Sequence, residues 1–290
     1  MGVSFGHIAD VYDETRELPS EVLQKFYALI NEQIGLKQNL TVLDAGVGTG
    51  RTVSPLLDCG VELIGVDISS AMLKKMAKKL KKKNQMKQVS LIVGDVTRLP
   101  LRASSFDLIL SIQVLHLVEN WREAIQDAKR ILRPRGVFVV ANAGSPFIES
   151  TVGQKYEELS EKYGTSKLSK RIMKRIYRNV GSGIFRKFLK KAFDYSGLAT
   201  GFDYERTDRY LKEHGGLVRK ETISWKQTFE ISVILSGLEK RVLSRQWTVP
   251  PSTHEKIMSE LKKWVNKKTG FVHCSEEIER RFKIFMAKFR

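Results

Sequence analysis

Cysteine is scarce in this chain: Cys59 and Cys274 are the two in 290 residues. Two cysteines are too few for a disulfide framework, and their spacing does not fit a metal site. Long apolar runs are also missing, since none approaches the roughly 20 residues that cross a bilayer. Residues 1–10 lack the basic and apolar segments of a secretory signal. We therefore expect a cytoplasmic protein that holds no metal ion.

Acidic residues are the second shortage. Fifty lysines and arginines face 32 aspartates and glutamates, which gives a net charge of +18. Residues 1–145 carry 19 basic and 15 acidic side chains, and the remainder carries 31 and 17. The excess favours an anionic partner for the second half, either an acidic membrane surface or nucleic acid. A solvated face that only keeps the protein soluble is equally compatible with it.

Apolar stretches alternate with helical patterns in the first half. Residues 20–35 read as a helix that begins with a Ser20 cap and ends at Gly35. The last helix of this half closes at Pro134 and Gly136. Between and after these helices, five short apolar strands are predicted at residues 39–46, 61–69, 89–96, 105–118 and 136–144. The alternation predicts an α/β fold with a doubly wound, mostly parallel sheet.

The pattern changes after Gly144. Residues 147–215 read as helical, and residues 169–193 place apolar side chains on one face and lysine or arginine opposite. We interpret these as a basic amphipathic helix pair, which forms a lid on the sheet domain, rests on an acidic membrane surface, or receives an anionic or lipophilic substrate. Residues 215–229 and 279–289 read as a sixth and a final strand.

A glycine-rich turn, VLDAGVGTG at residues 42–50, ends the first strand. It fits a phosphate-binding P-loop poorly, because the first glycine is missing and Arg51 stands in the lysine position. It also departs from the dinucleotide-binding pattern G-x-G-x-x-G, because Gly50 falls one position early. The turn alone leaves the choice among nucleotide-like ligands open.

Two carboxylates downstream narrow that choice. Asp67 closes the second strand, where it can accept hydrogen bonds from both hydroxyls of a ribose. Asp95 closes the third strand, where it can reach an adenine amino group. Both lie at carboxyl ends of strands, the edge at which open α/β sheets bind ligands. Two acids suit an adenosine ligand with a positive reactive centre and repel a pyrophosphate.

With these motifs in order, the chain resembles the class I S-adenosylmethionine-dependent methyltransferases, in particular their small-molecule, methyltransferase-11-like branch. The resemblance rests on VLDAGVGTG, GVDIS, GDVTRLPLRASSFDLILS and LHLVENWREAIQDAKRILRPRGVFVVAN, and it covers residues 5–143. It implies a Rossmann-like, seven-stranded sheet whose last strand is antiparallel. The implied single domain, residues 1–290, divides into a cofactor-covering helical segment at 1–35, a cofactor-binding core at 36–145, a basic helical insertion at 146–215 and the C-terminal part of the core at 216–290.

The resemblance also implies S-adenosyl-L-methionine as the cofactor and roles for single residues. Asp44 would order the glycine loop and meet the ammonium group of the cofactor, and Arg16 would meet its carboxylate. Asp67 would hold the ribose and Asp95 the adenine amino edge, although either could instead be a helix-cap or turn carboxylate. The other implied cofactor contacts are Tyr12, Gly46, Gly48, Gly50, Ile68, Met72, Val96 and Ser111.

A methyl group on a sulfonium is already activated, so the chain chiefly has to align a nucleophile and exclude water. His116, just past the fourth strand, is the candidate general base, and a structural histidine that bonds the loop backbone is the alternative. The segment SIQV stands where methyltransferases that act on the amino groups of bases or on glutamine often carry Asn or Asp, two prolines and Tyr or Phe, which disfavours that chemistry.

We expect a small-molecule acceptor, either anionic or lipophilic. One alternative is an RNA or protein methyltransferase that docks through the basic C-terminal half. The other is a non-catalytic, cofactor-binding partner subunit.

Overall fold

The computed structural model describes residue 6 and residues 12–16, 18–164, 204–243, 246–247, 249–267 and 275–289. Its strands are β1 Thr41–Ala45, β2 Glu62–Asp67, β3 Val89–Val93, β4 Phe106–Ile112, β5 Leu132–Asn142, β6 Gly216–Glu230 and β7 Ser275–Phe289. Its α-helices are α1 Tyr12–Arg16, α2 Ser20–Ile34, α3 Ser54–Asp58, α4 Ser70–Lys82, α5 Trp121–Ile131, α6 Pro146–Glu149, α7 Thr151–Lys162, α8 Tyr204–Glu213, α9 Ile231–Glu239 and α10 Pro251–Lys267. Short 3-10 turns cover Met86–Gln88 and Leu115–Leu117.

The strands form one seven-stranded sheet in the order β3-β2-β1-β4-β5-β7-β6. Strands β1 to β5 pair in parallel, and β7 runs antiparallel to β5, with Phe138 opposite Ala287 and Asn142 opposite Lys283. The prediction of a doubly wound, mostly parallel sheet with an antiparallel last strand is confirmed. Reversal of the order at β1 and β4 creates a switch point, where open α/β sheets form ligand clefts.

The central strands are buried because helices pack on the sheet. Val42, Leu108 and Ile109 have no exposed surface, as expected for parallel strands covered on both faces. Trp121 at the start of α5 is likewise fully buried and meets the ring of Tyr210 edge-on at 5.4 Å. This core fixes the strand ends that carry the site.

One predicted helix cap and one predicted helix end are wrong. Helix α2 begins at Ser20 itself, with Pro19 in the capping position and no side-chain cap, although its predicted end at Gly35 is right. Helix α5 ends at Ile131 rather than at Pro134 and Gly136, and β5 has already begun at Leu132. Proline disfavours the helical conformation of the residue before it, so the chain leaves the helix earlier than Pro134.

The chain forms two compact units, residues 1–143, 200–224 and 281–290 in the first and residues 144–199 and 225–280 in the second. In the second unit α7 packs on α6 and α10, and the hydroxyl of Tyr156 lies 3.0 Å from Nδ1 of His254. The sequence assigned residues 216–290 to the core, whereas residues 225–280 group with this second unit because α9 and α10 pack on α6 and α7. The predicted amphipathic pair at 169–193 lies outside the described residues. Among the described helices, none has the length and hydrophobicity needed for a bilayer span.

Candidate functional site

A cleft opens at the carboxyl ends of the parallel strands. Its volume is about 630 Å³, counting the solvent at its mouth. Segments that follow β1, β2, β3 and β4 line it, together with α4 and one residue of α1. The lining residues are Tyr12, Gly46, Gly48, Asp67, Ile68, Met72, Gly94, Asp95, Val96, Ile112, Gln113, Val114, Leu117 and Val118.

The loop after β1 has a backbone conformation that favours glycine. Gly46, Gly48 and Gly50 have positive φ angles of 89°, 56° and 68°. A Cβ on Gly46 would lie 2.2 Å from Val114, and one on Gly50 would lie 2.7 Å from Met76. No atom of the described residues lies within 4 Å of a Cβ placed on Gly48. Gly48 therefore borders open space in the cleft, whereas Gly50 allows α4 to pack closely.

Asp67 ties the end of β2 to the glycine loop. Its Oδ2 accepts a hydrogen bond from the backbone N–H of Gly48 at 2.9 Å, and its Oδ1 accepts one from Ser69 at 2.8 Å. Burial raises the pKa of Asp67, and the two backbone donors oppose that shift. The carboxylate is thus held in one orientation at the wall of the cleft.

Asp95 lies at the corresponding position after β3. Its Oδ1 accepts hydrogen bonds from the backbone N–H of Thr97 at 2.9 Å and from the Thr97 hydroxyl at 2.8 Å. Asp95 therefore acts as a turn carboxylate, which was the alternative role considered for it in the sequence. The same residue lines the cleft, so the turn and a ligand contact are compatible.

Asp44 is the most deeply buried acid of the site. Its side chain is 1% exposed, and its Oδ1 finds no hydrogen-bond partner among the described residues. Burial and, after it, the charge of Asp67 raise the pKa of Asp44 from an ordinary 3.8 to about 7. Asp44 lines a smaller pocket with Arg51, and Gly46 and Gly48 border both this pocket and the cleft. A buried carboxylate oxygen without a partner is costly unless a donor or cation reaches it.

Helix α1 is fastened beside the glycine loop. The hydroxyl of Thr49 donates to one oxygen of Asp13, and Lys79 pairs with the other at 2.9 Å. The guanidinium of Arg51 donates to the backbone carbonyl of Arg16. These contacts hold the N-terminal helix against the segment that follows β1.

The end of β4 carries two predicted site residues. Ser111 is 2% exposed, and its Oγ has no hydrogen-bond partner in the described part of the chain. His116 lies on the 3-10 turn Leu115–Leu117. Burial, followed by the nearby charge of Arg16, lowers the pKa of His116 to about 4. The imidazole is therefore neutral at neutral pH and a weak base.

Gln113 is a site residue that the sequence did not reveal. It lines the cleft with 8% of its surface exposed, and no hydrogen bond to its amide is found among the described residues. Its φ is +59°, and its backbone N–H donates to the carbonyl of Ala141 at 2.8 Å. A non-glycine residue in this conformation costs about 1 kcal/mol or more, and such residues cluster at functional sites.

The structure brings most of the predicted residues together. Eight of them line the cleft, namely Tyr12, Gly46, Gly48, Asp67, Ile68, Met72, Asp95 and Val96. Asp44 lines the adjoining pocket, as does Arg51, which was not predicted. Arg16, Gly50, Ser111 and His116 line neither.

Residues 43–140, which supply the parallel strands and this edge of the sheet, match the family model described as Methyltransferase domain. This match, over about a third of the chain, supports the resemblance to the class I S-adenosylmethionine-dependent methyltransferases. Strand order and the antiparallel β7 agree with that family as it was anticipated from the motifs. The matched segment ends before the second unit begins, so the family match concerns the part of the chain that lines the cleft.

Two curated relatives are similar to about half of this chain. The demethylmenaquinone methyltransferase of Renibacterium salmoninarum is 29% identical over 147 residues, which are 50% of this chain and 60% of that protein. The ubiquinone/menaquinone biosynthesis C-methyltransferase of Pectobacterium carotovorum is 30% identical over 158 residues, 52% of this chain and 63% of that protein. The chain thus spans about three fifths of the curated relatives it matches.

A solved structure supports the fold over most of the chain. The YcgJ protein of Bacillus subtilis aligns with a TM-score of 0.55 at 14% identity, covering 92% of this chain and 99% of that one. At this identity the likeness concerns the fold alone.

The residues present suit the family's cofactor, S-adenosylmethionine. The unpartnered Oδ1 of Asp44 is an acceptor for an ammonium group, and the space at Gly48 admits a ligand close to the backbone. Asp67 and Asp95 add two carboxylates to the lining of the same cleft, and carboxylates are the acceptors that ribose hydroxyls and an adenine amino group would need. A pyrophosphate would need hydrogen-bond donors here, whereas the site presents carboxylates, so the site does not suit a dinucleotide.

Proposed function

We propose that this methyltransferase transfers a methyl group from S-adenosylmethionine to a lipophilic small molecule by in-line displacement. The observation that carries the proposal is the unpartnered, buried carboxylate oxygen of Asp44, beside a glycine loop with open space at Gly48. This combination suits a zwitterionic amino acid group attached to a nucleoside. When bound, the cofactor supplies a methyl group made electrophilic by a positive sulfur.

The chain's own residues bind and orient. Asp44 holds the ammonium group, and Arg51, which lines the same pocket, holds the carboxylate in place of the predicted Arg16. Asp67, anchored by Gly48 and Ser69, accepts from the ribose hydroxyls. Asp95 accepts from the adenine amino group. Most of the gain in rate then comes from alignment in a site that excludes water.

The acceptor is proposed to be lipophilic for two reasons. The cleft wall after β4 is apolar, formed by Ile112, Val114, Leu117 and Val118. The name of one similar protein contains demethylmenaquinone, and that of the other contains ubiquinone and menaquinone. Within this wall the amide of Gln113 is the polar group that orients the acceptor, through an oxygen or an N–H. Residues 146–215 follow the family match and are proposed to contribute to acceptor choice.

His116 keeps its proposed role as proton acceptor only for an acceptor that loses its proton easily. With its pKa lowered to about 4, the imidazole is neutral at neutral pH but has little affinity for a proton. His116→Asn should reduce turnover and leave cofactor affinity unchanged if the histidine acts as the base. An unchanged rate would assign it to the loop structure instead.

The test is transfer of label. The full chain is incubated with S-adenosylmethionine labelled on its methyl group and a cell lysate separated into lipid, small-molecule, RNA and protein fractions. We expect label in the lipid fraction, and loss of that label in Asp44→Asn. Label confined to RNA or protein would establish the docking alternative, and no label in any fraction despite cofactor binding would favour the non-catalytic partner subunit.

A further inference from the structure

One segment of the first unit concentrates positive charge. Residues 68–94 contain eight lysines and no aspartate or glutamate. The segment spans α4, the 3-10 turn Met86–Gln88 and β3, and most of its lysines lie on α4. The basic excess expected in the second half of the chain therefore has a counterpart beside the cofactor cleft.

Helix α4 separates this charge from its apolar face. Its buried side chains are Met72, Leu73, Met76 and Leu80, and the helix packs on β2 and β3 through them. Lys74, Lys78 and Lys82 follow each other at intervals of four residues and are exposed. Residues four apart lie on one helical face, so these lysines form a single outward stripe. We call Lys74, Lys78, Lys81 and Lys82 the α4 lysine face.

The α4 lysine face is not neutralised within the described part of the chain. Lys79 pairs with Asp13 and Lys83 donates to Ser54, both at the border of the face. For the four lysines of the face, no ion pair or side-chain hydrogen bond is found among the described residues. Like charges four residues apart destabilise a helix, so a bound anion would relieve a cost that the folded chain carries.

We propose that the α4 lysine face docks on an anionic lipid bilayer. Several lysines on one face add their attraction to a negatively charged membrane surface without needing a shaped pocket. Lysine suits this diffuse attraction, because its ammonium is a compact point charge on a flexible stem. The helix lies along the surface with Met72, Leu73, Met76 and Leu80 still packed on the sheet.

Nucleic acid fits the same surface less well. Residues 68–94 contain no arginine, the residue that binds phosphate in a bidentate manner, and no phenylalanine, tyrosine or tryptophan on which a base could stack. The α4 lysine face therefore has the charge that a phosphate-rich partner needs but lacks the groups that usually add specificity and affinity for RNA or DNA.

Docking along α4 keeps the cleft near the membrane. Met72, on the first turn of the helix, lines the cleft. Helix α4 is about 20 Å long, so each lysine of the α4 lysine face lies within about that distance, along the helix, of the cleft residue Met72. A lipophilic acceptor would then be taken from the surface to which the chain is bound, although the docking itself does not depend on the proposed function.

The test is sedimentation of the full chain with vesicles, without cofactor or acceptor. Vesicles of equal parts phosphatidylglycerol and phosphatidylcholine are compared with vesicles of phosphatidylcholine alone, at low and at high salt. The variant K74E/K78E/K82E reverses three charges of the face. K256E/K263E/K267E makes the same change at exposed lysines of α10 and is the matched control. K74Q/K78Q/K82Q repeats the test without adding acid, and the thermal unfolding of each variant confirms that it folds.

We expect the wild-type chain to bind the anionic vesicles in a salt-dependent way and to ignore the neutral ones. The K74E/K78E/K82E variant should lose more than about tenfold in vesicle affinity, and the α10 control should stay close to the wild type. Equal losses in both variants, binding retained in K74E/K78E/K82E, or no binding by the wild type would overturn the proposal. So would a loss of single-stranded RNA binding in the α4 variant with vesicle binding unchanged.

Discussion

The Oδ2 of Asp67 accepts a hydrogen bond from the backbone N–H of Gly48 at 2.9 Å. This bond joins the carboxyl end of β2 to the loop that follows β1, and both residues line the cleft. A ligand that contacts the carboxylate therefore also meets the loop at its most open point. The proposed cofactor site depends on this pairing more than on the glycine loop alone.

Removing the Asp67 carboxylate should weaken cofactor binding. A hydrogen bond to a charged group is worth about 1.5–3 kcal/mol, so Asp67→Ala should raise the Kd for S-adenosylmethionine by more than about tenfold. Isothermal titration calorimetry measures this directly. Asp58→Ala, at an exposed position of α3, is the control and should bind as the wild type does. Equal affinity of Asp67→Ala and the wild type would remove Asp67 from the site.

Gly48 and Gly35 form a matched pair for testing the open space. Their φ angles are +56° and +66°, and a Cβ on either meets no atom of the described residues within 4 Å. Alanine should cost each position about 1 kcal/mol of unfolding free energy, because left-handed backbone disfavours a side chain. Only Gly48→Ala should also lose cofactor affinity. Denaturant unfolding and calorimetry separate the two effects, and equal cofactor affinity in both variants would contradict the placement of the ligand at Gly48.

Asp44 should make cofactor binding depend on pH. Its pKa is raised to about 7, so the carboxyl is largely protonated below that pH in the free chain and must ionise to hold an ammonium group. The Kd for S-adenosylmethionine should therefore fall as pH rises to 7, by up to about tenfold per pH unit, and level off above it. Asp44→Asn should bind weakly at every pH. A wild-type Kd that is constant between pH 5.5 and 8 would contradict this role.

The Asp44 carboxyl should make the unfolding free energy of the cofactor-free chain decrease as pH rises, whereas it makes cofactor binding tighter. In the absence of cofactor the folded chain keeps the Asp44 proton up to pH 7, whereas the unfolded chain releases it at an ordinary pKa of 3.8. The contribution of Asp44 to the unfolding free energy should therefore decline as pH rises through this window. Asp44→Asn should lack that decline in urea unfolding measured across the window, and an identical profile for both proteins would be the contrary result.

His116 should favour the folded state at higher pH. The folded chain holds the pKa of His116 at about 4, against an ordinary 6.5, so the unfolded chain binds more protons between these values. The contribution of His116 to the unfolding free energy is fully present above pH 6.5 and is lost as pH falls toward 4. His116→Gln should show a smaller loss of unfolding free energy over that range. A steeper loss in the variant than in the wild type would contradict the assigned environment.

The sequence predicted the sheet and its acids because both depend on local signals. Asp67 and Asp95 follow short apolar strands, and parallel strands bring their carboxyl ends to one edge. Gln113 carries no such signal, since nothing in its residue type announces a φ of +59°. Arg51 occupies the lysine position of a poorly matching P-loop in the sequence, and the fold places it in the pocket that Asp44 lines.

Long-range contacts explain the remaining differences. Asp13 binds Thr49 and Lys79, partners 36 and 66 residues away that no local pattern connects. Residues 225–280 read as a continuation of the sheet domain, yet α9 and α10 pack with α6 and α7. Such groupings depend on which surfaces meet in three dimensions, and helical periodicity gives only the face that will be buried.

The measurement that tests the central claim most directly is calorimetric titration of the full chain with S-adenosylmethionine and with its demethylated product, at pH 8. We predict that both bind at one site per chain and that Asp67→Ala and Gly48→Ala each weaken binding, while Asp58→Ala and Gly35→Ala do not. Absence of binding by either ligand, or equal binding by all four variants, would contradict the assignment of the cleft to the adenosyl cofactor.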